Sequence, residues 1–119
     1  MYFYDTYAVM ELGKGNPQYK PFENQPFVMS VMNVGELYQI SLREQGKEAA
    51  DKWFTTFTAE LLEITPEIMV KAVYFRFLNR KKNISLTDAV GYILALKHKL
   101  KFLTGDKEFR NLPNVEFIK

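Results

Sequence analysis

Lys101-Phe102-Leu103-Thr104-Gly105-Asp106 is the stretch on which the reading of this chain turns. A short β-prone run ends on a threonine, turns on a glycine and presents an acid at once. Before it, Ser85 to about His98 has helical spacing, with Ala89, Val90, Ile93, Leu94 and Leu96 on one apolar face. After it, Asp106 to Asn111 reads as a turn or one helical turn, and Val115 to Ile118 as a last strand.

Working outward, the same alternation recurs. Tyr2 to Tyr4 reads as a strand closed by Asp5-Thr6. Tyr7 to Leu12 is helical and stops at Gly13-Lys14-Gly15-Asn16-Pro17. Residues 17–25 read as a loop or short helix, and Pro26 to Val31 as apolar and β-prone. A helix is expected from Asn33, with Val34, Leu37, Tyr38 and Leu42, to the stop at Gly46. Another runs from Lys47 to about Glu60, then a strand from Leu61 to Thr65. Pro66 suits the first turn of a helix reaching about Lys82. Strands that alternate with helices imply an α/β fold, a mainly parallel sheet with helices on both faces.

Composition bounds the rest. At 119 residues the chain is expected to be a single domain, 1–119. Its 47% hydrophobic and 15% aromatic content supplies a core and excludes a disordered chain. No cysteine and one histidine, His98, leave no disulfide framework, no thiolate metal site and no histidine-built centre. No apolar run is long enough to span a membrane, and no secretory signal opens the chain, so a cytoplasmic location is expected. Charge is uneven: residues 1–70 hold five Lys/Arg against ten Asp/Glu, and residues 71–101 hold eight Lys/Arg against Asp88 alone. That basic segment points to a polyanionic partner, and equally to a solvated helix face.

In an open parallel sheet, sites form beyond the carboxyl ends of the strands. Asp5 follows the first strand, and Asp106 follows the Lys101–Thr104 strand across Gly105. Glu36 and Asp88 are expected in the first turns of their helices. Each acid also has a structural reading as a helix cap. Asn33…Glu36 and Ser85…Asp88 have capping-box spacing, and Asp5 and Asp106 can cap the turns that follow them. Together they say more, because two carboxylates about 4 Å apart repel by about 4 kcal/mol at an effective dielectric of 20. Four in one pocket call for a cation or bound protons. Oxygen donors without Cys or His point to Mg²⁺ or Mn²⁺, ions suited to phosphodiester chemistry.

Four blocks then carry a resemblance over nearly the whole chain. They are Tyr4-Asp5-Thr6-Tyr7; Asn33-Val34-Gly35-Glu36-Leu37-Tyr38; Ile84-Ser85-Leu86-Thr87-Asp88-Ala89; and Leu103-Thr104-Gly105-Asp106-Lys107-Glu108-Phe109, followed by Leu112-Pro113-Asn114-Val115. In order and spacing the chain resembles the PIN-domain ribonucleases, in particular compact VapC-like toxins. The resemblance implies a three-layer α/β/α sandwich with a central mainly parallel sheet. It implies that Asp5, Glu36, Asp88 and Asp106 bind Mg²⁺ or Mn²⁺ and catalyse endonucleolytic RNA hydrolysis, with Thr104 holding the acids. It further implies a small antitoxin partner and a homodimer formed through helices of the first half. Tyr7 departs from the pattern, since small residues are frequent there.

Other signals are weaker. Gly13-Lys14-Gly15 lacks the third glycine and the Lys-Ser/Thr of a phosphate loop and reads as a helix stop. His98 reads as a helix-end or surface residue, and Trp53, Phe54 and Phe57 as core or interface. Arg76, Arg80, Lys81 and Lys82 suit RNA phosphates, and a solvated helix end explains them as well. Two competing functions are a phospho-acceptor receiver domain and a non-catalytic interaction or RNA-binding module. The first lacks a paired acid beside Asp5 and an acceptor Asp after Leu61–Thr65; the second sits poorly with a complete acid quartet.

Overall fold

Strands that pair in parallel need crossovers of a dozen or more residues, and helices supply most of them here. In the computed structural model, which describes residues 1–119, the order is β1 (Tyr2–Tyr4), α1 (Thr6–Gly13), a 3₁₀ turn (Pro17–Phe22), β2 (Val28–Met29), α2 (Val31–Gln45) and α3 (Lys47–Thr56). There follow β3 (Glu60–Leu61), α4 (Pro66–Leu78), α5 (Leu86–Lys97), β4 (Lys101–Thr104), a 3₁₀ turn (Lys107–Phe109) and β5 (Val115–Phe117). All strand pairings are parallel. One ladder runs β1-β4-β5, with Phe3 opposite Phe102 and Leu103 opposite Glu116; β2 pairs with β3, Val28 opposite Glu60. β2 lies beside β1 without ladder bonds, so the sheet is in two parts. The α/β architecture expected from the alternation is the one observed.

β1 and β4 are apolar at successive positions because both faces are covered. Phe3, Tyr4, Phe102 and Leu103 are fully buried. Phe102 is the hub: its ring centroid lies 5.9 Å from Phe3, 5.7 Å from Tyr92 and 4.9 Å from Phe109. Each such side chain contributes about 1.5–3 kcal/mol by leaving water. Helix α5 closes on this cluster at Gly91, where an added Cβ would sit 2.7 Å from Phe3 Cε1.

Several boundaries differ from the sequence reading, each for a local reason. The second strand is only Val28–Met29, because Ser30 caps α2, which begins at Val31, two residues before the expected Asn33. The box at that end is Ser30–Asn33, not Asn33–Glu36, so Glu36 stands in the second turn of α2. α3 ends at Thr56, where Thr55 and Thr56 hydroxyls donate to the Lys52 carbonyl; Glu60 joins β3 instead. The strand expected over Leu61–Thr65 is Glu60–Leu61, and Thr65 serves as the cap of α4, its hydroxyl accepting from the Ile68 N–H at 3.2 Å. α4 stops at Leu78 rather than near Lys82, with the Asn79 amide donating to the Phe75 carbonyl at 2.9 Å.

Candidate active site

The backbone delivers the acids before any side chain contributes. Asp5 leaves β1 directly, its N–H donating to the Leu103 carbonyl of β4 at 3.1 Å. Asp106 leaves β4 two residues after Thr104. α5 reaches β4 through the short link 98–100, so it runs back along the strand and places its N-terminus, with Asp88, at the carboxyl edge. No strand precedes α5; this reversal is what brings Asp88 to the edge. Glu36 comes from α2. Asp5, Glu36, Asp88 and Asp106 line one cavity of about 360 Å³, with Ser85, the α1 residues Thr6 and Tyr7, and Lys14 just past the end of α1 among the rest of its lining.

Three of the acids are also caps. One Asp5 oxygen accepts from the Thr6 N–H at 2.9 Å and the other from the Thr104 hydroxyl at 2.7 Å. Thr104 in turn accepts from the Asp106 N–H at 3.0 Å, so one hydroxyl links two acid-bearing segments. Asp88 accepts from the Ser85 N–H at 3.2 Å, and Asp106 from the Glu108 N–H at 3.0 Å. The capping reading therefore holds for three carboxylates that also line the one cavity. Glu36 caps nothing.

The electrostatics are strained. Asp5 is buried, and burial first, then the charge of Asp88, pushes its carboxyl up to about 8. The Thr104 and Thr6 hydrogen bonds oppose that push, and Glu36 adds to it. Burial also raises the Asp88 carboxyl; bonds to Ser85 pull it down while Glu36 and Asp106 push it up. No three acidic side chains stand close enough together to hold one ion. The donor set fits a hard divalent cation all the same: it is all oxygen, anionic, and its innermost member is destabilised as an anion.

Two groups escaped the sequence reading. Glu11 lines the same cavity, accepting from the Asn16 amide at 2.8 Å and pairing with Lys14 at 3.3 Å. The spacing Tyr7, Met10/Glu11, Lys14 on a helix that begins beside Asp5 carries that signal. Asn33 is fully buried; it donates to the Thr6 hydroxyl at 3.1 Å and accepts from the Ser30 N–H, which ties α2 to α1 behind Asp5. The Ser30-x-x-Asn33 spacing carries that one. Tyr7 packs where only a glycine fits: a Cβ on Gly105 would lie 2.4 Å from the Tyr7 ring and 2.3 Å from the Ile118 carbonyl.

Arg76, Arg80, Lys81 and Lys82 do not join the acids. Arg76, Arg80 and Lys82 line a separate cavity of about 400 Å³ between α4 and the segment leading to α5, and Lys81 is exposed outside both. His98 is the C-terminal cap residue of α5, away from the acid cavity.

The family model described as PIN domain matches residues 2–115. No curated protein matches the chain. Among solved structures, VapC20 of Mycobacterium tuberculosis, described as a sarcin-ricin loop cleaving toxin, aligns with a TM-score of 0.80 at 19% identity over 100% of each chain. A chain of a toxin–antitoxin complex from Klebsiella pneumoniae aligns at 0.74 and 21% identity, covering 98% of this chain and 96% of that one. A chain of VapBC2 from Rickettsia felis, bound to a promoter DNA fragment, aligns at 0.69 and 17% identity over the same shares. At these identities the likeness is one of fold.

Proposed function

This chain belongs to the PIN-domain family, and on that premise we propose that it is a metal-dependent endoribonuclease, the toxin component of a toxin–antitoxin pair acting in the cytoplasm. The observation that carries the reading is the convergence of Asp5, Glu36, Asp88 and Asp106 on one cavity at the carboxyl edge of the sheet. Asp5, Asp88 and Asp106 would hold Mg²⁺ or Mn²⁺, which when bound activates a water and offsets charge on the leaving oxygen. The Glu36 side chain has no hydrogen-bond or ion-pair partner within the chain and is free to orient the attacking water or to serve a second ion. Thr104 fixes the Asp5 carboxylate and the backbone of Asp106 in one relation. Tyr7, at the cavity rim, limits how an RNA strand approaches the acids.

Partners follow from the neighbouring surfaces. A larger, mostly apolar cavity of about 540 Å³ between α1, α2 and α3 shares Met10, Lys14 and Ile40 with the acid cavity. A small antitoxin that fills it with apolar side chains and sends a basic one toward the acids would inhibit by neutralising them. Homodimer formation belongs to the same reading. Exposed apolar side chains stand on first-half helices, at Val31, Leu42 and Phe54, and more densely on α4, at Val70, Tyr74 and Leu78. No helix is long and apolar enough to cross a membrane.

The test is incubation of antitoxin-free protein with labelled structured RNA in Mn²⁺, Mg²⁺ or EDTA, beside Asp88→Asn. Cleavage that needs the metal and is lost in the variant supports the reading. RNA binding without cleavage under any of these conditions favours the non-catalytic module.

A further inference from the structure

Five carboxylates line the acid cavity, those of Asp5, Glu11, Glu36, Asp88 and Asp106. Each phosphate of an RNA strand is itself an anion, so a strand that enters needs donors there as well as any cation. Few side chains of the lining can donate, and most already have a partner. Lys14 is paired with Glu11 at 3.3 Å. The Thr6 hydroxyl accepts from the Asn33 amide at 3.1 Å, and the Ser85 hydroxyl from the Asp88 N–H at 3.1 Å. The Tyr7 hydroxyl differs. Tyr4, Tyr19, Tyr38 and Tyr92 each donate to an acceptor within the chain, and Tyr7 does not.

Packing fixes where that hydroxyl stands. Tyr7 is half-buried in the first turn of α1, two residues after Asp5. Its ring lies on the backbone of Gly105, the residue between Thr104 and Asp106. A Cβ on Gly105 would sit 2.4 Å from Tyr7 Cε1 and 2.8 Å from Cζ, the carbon that bears the hydroxyl. The hydroxyl end of the ring is therefore set beside the turn where Thr104 donates to Asp5 and accepts from the Asp106 N–H. The Ile118 carbonyl, which accepts from Tyr19, closes on the same glycine. A donor held this way has little freedom left to lose when it binds.

We propose that the Tyr7 hydroxyl contacts the substrate directly, donating a hydrogen bond to a non-bridging oxygen of the RNA phosphate that is cut at the acids. The inference rests on the nuclease reading for its substrate. No proton is transferred: the hydroxyl keeps its hydrogen, and the bond strengthens as negative charge builds on the phosphoryl oxygens during hydrolysis.

The experiment compares the wild type with Tyr7→Phe, which keeps the ring on Gly105 and removes only the hydroxyl. Cleavage kinetics of labelled structured RNA are measured in Mn²⁺, and binding of the same RNA by fluorescence anisotropy in Ca²⁺. Calorimetry gives the Mn²⁺ affinity without RNA, and thermal melts give stability. In Tyr7→Phe, kcat/KM is expected to fall by roughly 10- to 150-fold, the worth of a hydrogen bond to a charged group, and RNA affinity by roughly 2- to 10-fold. Mn²⁺ affinity and melting temperature are expected to stay at wild-type values. A variant that cleaves as fast as the wild type overturns the contact and leaves the nuclease standing. A loss of activity matched by a loss of Mn²⁺ affinity or of stability also overturns it, because the hydroxyl then supports the acids and not the substrate. If the wild type does not cleave, the nuclease reading falls and binding decides: weaker binding by Tyr7→Phe supports the phosphate contact, and unchanged binding overturns it. A wild type that neither cleaves nor binds the RNA overturns both.

Discussion

Asp5 stands where a negative charge is both costly and useful. It is buried, faces Asp88, and is held by two donors that only partly offset the cost. Asp5→Asn removes the charge and keeps the shape. We expect it to abolish metal-dependent cleavage while the metal-free protein melts at the same temperature or a few degrees higher; a cleavage assay with differential scanning calorimetry checks both halves. A fully active Asp5→Asn protein would sink the assignment of this residue. The acid itself was legible in the sequence, because a polar residue directly after an apolar strand has few other places to go. Its relation to Thr104 came only as an implication of the resemblance, since a hydrogen bond across 99 positions has no local signature.

At the scale of elements, caps decide which residues face the site. Ser85 and Asp88 satisfy each other's backbone N–H groups, and that box was legible because Ser-x-x-Asp is a local pattern. The start of α2 misled for the same reason: Asn33…Glu36 and Ser30…Asn33 both have the spacing, and local sequence cannot rank them. Burial ranks them. Asn33 is enclosed between α1 and α2, where it can bridge Thr6 and Ser30, and this shifts the helix start and lifts Glu36 into the second turn. Asn33→Ala is expected to cost about 2–3 kcal/mol, since it leaves buried donors and acceptors unpaired. Urea unfolding measures this, and a loss under 1 kcal/mol would show that α1 and α2 do not depend on the bridge.

For the whole molecule, the raised Asp5 carboxyl links stability to pH and to cations. A carboxyl whose folded value lies above its unfolded one binds its proton more tightly in the native state. Its contribution is complete below the ordinary carboxylate range and is lost as pH rises through about 8. Asp88 is shifted in the same direction. Metal-free protein is therefore expected to lose stability between about pH 4 and pH 8, and Mg²⁺ or Mn²⁺ to restore more of it at pH 8 than at pH 6. Thermal melts across that range, with and without the ion, test this; a cation effect that does not grow with pH would count against ion binding at these acids.

Chain order and composition settled the architecture. Apolar runs at β1 and β4, amphipathic spacing between them, and acids at the ends of those runs leave an α/β fold with an acidic edge as the consistent arrangement. These are properties of neighbours in sequence, so the sequence carries them. The tertiary structure decided the rest. It set how short β2 and β3 are, which of two boxes caps α2, that Glu11 joins the acids, and that the basic residues gather in a cavity of their own. Those outcomes depend on burial and on contacts between distant segments, and the physical preference of a residue for its neighbours along the chain does not contain them.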